Sequence, residues 1–123
     1  MKLHHNAQND LNIIKAYSDE SVTINEEVFT HSIVVQANAV NRNWLPQNID
    51  ELDVKAINEL AQLDTEIILL GTGRQQHFPD RRLFIPLYDN KIGIEVMDTP
   101  AACRTYNILL EQDRAVTAAL LIG

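Results

Sequence analysis

Cysteine is almost missing from this 123-residue sequence. Cys103 stands alone, so no intrachain disulfide can form and nothing points to an oxidising compartment. Cations are scarce too: ten Lys and Arg face 17 Asp and Glu, for a formal charge of −7. They are scattered along the chain, so a nucleic-acid backbone would be repelled and no nucleic-acid partner is expected. No apolar run approaches the ~20 residues of a membrane helix. The opening "MKLHHNAQND" also lacks an apolar stretch of signal-peptide length. A soluble cytoplasmic protein without membrane insertion is therefore expected. His31 and His77 have no i, i+4 partner and no nearby cysteine, which argues against a metal site and gives no sign of a cofactor.

With 46% hydrophobic residues, the chain can bury the core of one domain but hardly of two. One domain is expected over residues 11–123, preceded by a mobile tail, 1–10, that holds His4 and His5. From Leu11 to Gln36 short extended segments, "LNIIKAY", "SVTI" and "VFTHSIVVQ", alternate with polar turns. In the third, Val28, Thr30 and Ser32 should face one side and Phe29, His31 and Ile33 the other. The segment "NAVNRNWLPQN" reads as a polar loop, in which Trp44 and Pro46 either mark a partner contact or close the core.

Ile49, Leu52, Ile57, Leu60 and Leu63 then share a helix face, with Asp50, Glu51 and Asp53 at its positive end. "EIILL" is a continuous apolar strand of the kind buried on both faces. "FPDRRLFIPLYDNK" predicts a short or bent helix because of Pro86, and "IGIEVMD" another buried strand. "TPAACRTYNILLEQD" predicts a helix capped by Thr99 with Pro100 at its first position, and "AVTAALLI" a last strand of open direction. The pattern is α/β: two βαβ-like units with a mostly parallel sheet, preceded by an antiparallel β section.

Parallel strands end at one edge of a sheet. Gly71-Thr72-Gly73-Arg74 and Asp98-Thr99 should therefore lie on a common rim, where α/β folds form crevices. With Arg104, these residues would suit a carboxylate or phosphate. The plainer structural reading carries more weight: an arginine pairs with Asp98, and the glycines serve only backbone angles. A dinucleotide fingerprint lacks its third glycine, and a Walker loop lacks its Gly-Lys-Ser/Thr.

Cys103 beside Arg104 has the surroundings of an activated thiol, but Cys103, Tyr106 and Leu110 share a helical face, which favours a core cysteine. Tyr106 either reaches the rim or lies in the core with its hydroxyl satisfied. Glu95 and Asp98, three apart on a strand, face opposite sides and do not form an acid/base pair. No catalytic constellation is visible.

The runs "EIILLGTGRQQHFPDRRL" and "GIEVMDTPAACRTYNILLEQDRAVTAALL" resemble a family of small domains of unknown function. It has bacterial and archaeal members and includes the human adipogenesis-associated domain protein and a mitochondrial complex I assembly factor. The resemblance implies a three-layer α/β fold, a mixed central sheet with one antiparallel strand, and no established activity. It marks Gly71, Gly73, Arg74, Phe78, Asp98, Thr99, Cys103, Arg104, Tyr106 and Asn107 as pattern residues. Pro86 departs from the pattern, in which that helix more often continues. The function expected is a non-enzymatic interaction or assembly protein with an unidentified protein partner; the alternative is a small-anion-binding module or enzyme at the rim.

Overall fold

The structure, a computed structural model, describes residues 11–122; the expected tail over 1–10 lies outside the described residues. Strands β1 (Ile14–Tyr17), β2 (Val22–Ile24) and β3 (Glu27–Phe29) form a small antiparallel sheet. A second sheet runs in the order β5-β4-β8-β6-β7. Its members are β4 (Ile33–Gln36), β5 (Ala39–Asn41), β6 (Ile67–Thr72), β7 (Gly93–Met97) and β8 (Val116–Leu121). The helices are α1 (Val54–Ala61), α2 (Ile85–Asp89) and α3 (Thr99–Glu111).

β6 is parallel to both its neighbours, β7 and β8, whereas β4 runs antiparallel to β8 and to β5. One strand, β4, thus opposes the other four. The last strand, whose direction the sequence left open, is parallel. The chain leaves β6 for β7 on one side and then crosses back over β6 to β8 on the other. Right-handed crossovers in opposite directions place their helices on opposite faces, and the packing follows. Ile68 and Leu70 of β6 pack with Ile57 and Leu60 of α1 and Leu87 of α2. Leu69 points the other way, into a cluster with Ala102, Cys103 and Tyr106 of α3 and with Ile14, Val22 and Phe29 of the small sheet. The result is three layers: α1 and α2, the five-stranded sheet, and α3 beside the small sheet.

Several local expectations are corrected. The segment "VFTHSIVVQ" is not one strand. It breaks after Phe29 and changes sheet, and Ser32 is buried at the break, its hydroxyl donating to the Trp44 carbonyl at 3.0 Å. The supposed loop over 38–48 contains β5, a short edge strand paired to β4. Trp44 closes the core and does not face a partner; its side chain is buried and its indole N–H donates to the Ala56 carbonyl.

The helix expected from Ile49 is two elements. A 3-10 turn, Ile49–Glu51, is capped by Asn48, and α1 is capped by Asp53, whose side chain accepts the Ala56 N–H. Asp50 and Glu51 therefore serve the turn and not the dipole of α1. Around Pro86 the chain bends as expected, from a 3-10 turn at Arg81–Phe84 into α2, with the proline in the first turn where its missing N–H costs nothing. The cap of α3 is Asp98, accepting the Ala101 N–H at 2.8 Å, and not Thr99.

Candidate functional site

Thr99 is free of capping because it has other partners. In the register of β6 and β7, Gly71 lies opposite Met97, so both strands leave the sheet at one edge, and there Gly73 meets Thr99. The Thr99 N–H donates to the Gly73 carbonyl at 2.8 Å, and the Gly73 N–H donates to Thr99 Oγ1 at 2.8 Å. The same hydroxyl donates to the Leu121 carbonyl at the end of β8. One buried hydroxyl thus ties the carboxyl ends of β6 and β8 to the start of α3.

Each glycine has a local cause. A Cβ on Gly71 would lie 2.8 Å from Thr99 Oγ1 and 3.0 Å from Thr99 Cα. Gly73 has φ 95°, a region that side chains disfavour. Thr72 holds the turn itself, donating to the Gln75 carbonyl at 2.6 Å and accepting the His77 N–H at 3.2 Å.

Neither arginine of the rim pairs with Asp98. Arg74 reaches Asp19 at 3.2 Å and Arg104 donates to the Tyr17 hydroxyl at 3.0 Å. Both partners belong to the β1–β2 hairpin, and both arginines are exposed. The structure therefore brings together Gly71, Thr72, Gly73, Asp98 and Thr99 through their backbones, while the guanidinium groups of Arg74 and Arg104 lean on the hairpin.

The remaining pattern residues on α3 face inward. Cys103 is fully buried, and burial pushes its thiol up to about 12, with the nearby Arg104 charge only partly opposing. Tyr106 is buried with its hydroxyl donating to the Asn12 carbonyl at 2.8 Å, and burial pushes its phenol up as well. The Asn107 carboxamide accepts the Ile14 N–H at 3.1 Å and donates to the Ile14 carbonyl at 2.8 Å.

Phe78 differs from all of these. It is 75% exposed and stands on a ridge between two grooves. One, of about 590 Å³, is lined by Leu52, Val54, Pro79 and Leu83. The other, of about 580 Å³, lies between Phe84 and Tyr88 on one side and Ile94 and Val96 of β7 on the other. Val54, Ile85 and Tyr88 are exposed nearby, the last two a helical turn apart on α2. The residues of the second groove were missed because "IGIEVMD" was expected to be a buried strand, whereas β7 is the edge strand of its sheet and none of its residues is fully buried. Phe78 entered only through the resemblance.

Among the described residues, no group of three His, Cys, Asp or Glu side chains gathers as a metal site. No helix there is long and apolar enough to cross a membrane.

Comparison with known proteins agrees with the fold. The chain is 28% identical over 111 residues to NADH dehydrogenase [ubiquinone] 1 alpha subcomplex assembly factor 3 of Danio rerio, covering 89% of this chain and 63% of that protein. It thus spans about three fifths of the length of that curated relative. It is 25% identical to the 13 kDa major membrane protein of Francisella tularensis, over 87% of this chain and 88% of that one. Among solved structures, a Bordetella parapertussis protein superimposes with a TM-score of 0.85 at 36% identity, covering 92% of this chain and 97% of that one. The family described as Protein of unknown function (DUF498/DUF598) matches residues 14–121, and the chain belongs to it.

Proposed function

We propose that this protein is a non-enzymatic interaction module that binds another protein through the surface around Phe78, acting in the assembly of a larger complex. The observation that carries this reading is Phe78 itself. A large aromatic side chain left mostly in water, lining two grooves with the exposed Val54 and Tyr88, has no packing role among the described residues. Exposed apolar clusters of this kind mark sites of association. The rim does not compete strongly, because its polar groups are already engaged with one another. The assembly aspect is supported by the relatives whose name describes an assembly factor, and their greater length leaves the particular partner a matter for experiment.

The test is affinity capture from native extract with wild-type protein and Phe78→Asp, followed by mass spectrometry. The reading expects a reproducible partner that the variant loses while its melting temperature is unchanged. The same proteins recovered with both baits, or none with either, would count against it.

A second reading keeps the rim as a small-anion site, favoured by Arg74 and Arg104 standing at one hairpin. Isothermal titration with carboxylates and phosphates, wild type against Arg74→Ala, decides it. Heats equal to dilution across the panel remove it.

A further inference from the structure

Beside the groove that Phe78 overlooks, the five-stranded sheet ends, among the described residues, in an open edge. β7 is the last strand of its sheet. The Gly93 N–H donates to the Glu66 carbonyl, just before β6, so Gly93, Glu95 and Met97 turn their backbone groups toward β6 and the alternate residues, Ile94 and Val96, turn theirs outward. The Val96 carbonyl confirms the direction, since it accepts the Gln76 side-chain amide at 3.1 Å from outside the sheet. Among the described residues no hydrogen bond reaches the Ile94 N–H, the Ile94 carbonyl or the Val96 N–H. Native edges are blunted by proline, bulges, charged side chains or a covering loop. β7, "GIEVM", has no proline or lysine and pairs with β6 without a bulge; its one charge is Glu95, and the Gln76 amide covers only the Val96 carbonyl.

The two faces of this edge differ. Ile94 and Val96 lie on the face of α1 and α2, where they pack against the core that holds Phe84 and Leu87, and Phe78 and Tyr88 line the groove. Glu95 lies opposite Leu69 in the register and so on the other face, that of α3. It is exposed and makes no ion pair among the described residues. The charged side chains on the groove's far wall are Arg81 and Asp80, the latter paired with Arg82, and neither belongs to the strand register.

We infer that β7 receives an extended segment of a partner protein as a sixth strand, and that the segment carries apolar, basic and apolar residues in succession. The two apolar side chains would face Phe78, Phe84 and Tyr88, and the lysine or arginine between them would lie across from Glu95. Backbone pairing supplies the affinity and the alternate side chains the selection. A second copy of this chain fits poorly. Twofold pairing of β7 about Glu95 would set two carboxylates directly opposite, and like charges across strands are destabilising, in molecules that each carry −7.

This inference rests on the protein-binding reading above and can fail separately from it. The probes are blocked octapeptides, labelled for fluorescence anisotropy, with Val-Lys-Val or Val-Glu-Val at their centre. A third probe is the lysine peptide N-methylated at the amides that would face β7. Wild type is expected to prefer the lysine peptide about fivefold over the glutamate peptide. Glu95→Lys should reverse that order, and N-methylation should abolish binding to either protein. Amide exchange at Ile94 and Val96 should slow when the lysine peptide is added.

Equal binding of all three peptides, or none up to millimolar concentration, would overturn the inference. So would protection of Ile94 and Val96 that rises with protein concentration alone, the mark of a second copy. If Phe78→Asp loses a captured partner but Glu95→Lys and the peptides show none of these effects, the interaction reading stands and the added strand is rejected.

Discussion

Replacing Thr99 by valine removes one oxygen and keeps the shape, which isolates what the hydroxyl does where the carboxyl ends of β6 and β8 meet the start of α3. Thr99 is buried, and its Oγ1 is the partner of the Gly73 N–H and of the Leu121 carbonyl. Valine fills nearly the same volume and is also β-branched, so cavity and propensity contributions are small. Two buried backbone groups lose their partner, each at about 1–3 kcal/mol. Partial relaxation of the chain end after Leu121 brings the expected loss to about 3 kcal/mol.

An unfolding entropy of about 2.1 cal/mol/K per residue gives roughly 4 °C per kcal/mol for a chain of this length, so Thr99→Val should melt about 12 °C lower. Thr99→Ser keeps both hydrogen bonds and loses one methyl, worth about 1 kcal/mol, or about 4 °C. The assay is a pair of thermal melts by circular dichroism at equal protein concentration. If Thr99→Val melts within about 3 °C of wild type, or above Thr99→Ser, the hydroxyl is not what ties the strand ends together and the reasoning fails.

Gly71→Ala should destabilise by about 1–2 kcal/mol, because the new methyl meets the Thr99 backbone at 3.0 Å; overpacking costs about 1–3 kcal/mol and reduced chain entropy returns somewhat less than 1. Urea titration should show a lower midpoint at unchanged slope. Asp80 is held at about 2, against an ordinary 3.8, chiefly by side-chain hydrogen bonds from Arg82 and then by the Arg82 N–H. The stabilisation is therefore complete above the unfolded value and is lost as pH falls through about 2. Carbon-detected NMR titration should show that midpoint, and Arg82→Ala should move it upward. Cys103, buried with its thiol raised to about 12, should resist iodoacetamide in native buffer and react stoichiometrically in denaturant; labelling of the native protein would refute its place in the core.

What the sequence revealed, and what it hid, follows from the range of the forces involved. "EIILL" is a continuous apolar run after its first residue, "IGIEVMD" is apolar apart from Glu95 and its last residue, and the two are joined through a bent helix, which is enough to expect parallel pairing with convergent ends. The cap of α3 was not readable: aspartate is the better capping residue, but a threonine cap would put Pro100 at its favoured first position. The choice between them was made by the Leu121 carbonyl, which reaches Thr99 from 22 residues away. β5 was hidden because three residues with only Val40 half-buried look like a polar loop until β4 lies beside them. The exposure of Phe78 and the open side of β7 depend on strand order, which no local pattern encodes. Arg74 and Arg104 were expected to line the rim, but their partners lie in a hairpin 55 and 87 residues earlier in the chain.

Asn107 imposes an order of events on the chain. Its carboxamide offers Ile14 the donor and acceptor that a neighbouring strand would offer, across 93 residues of sequence, and the Tyr106 hydroxyl donates to the Asn12 carbonyl. β1 must therefore wait for α3, whose Asn107 is made 93 residues after Ile14, before its outer backbone groups are satisfied. The β1–β3 meander should consolidate late in folding and be the first region to breathe in the native state.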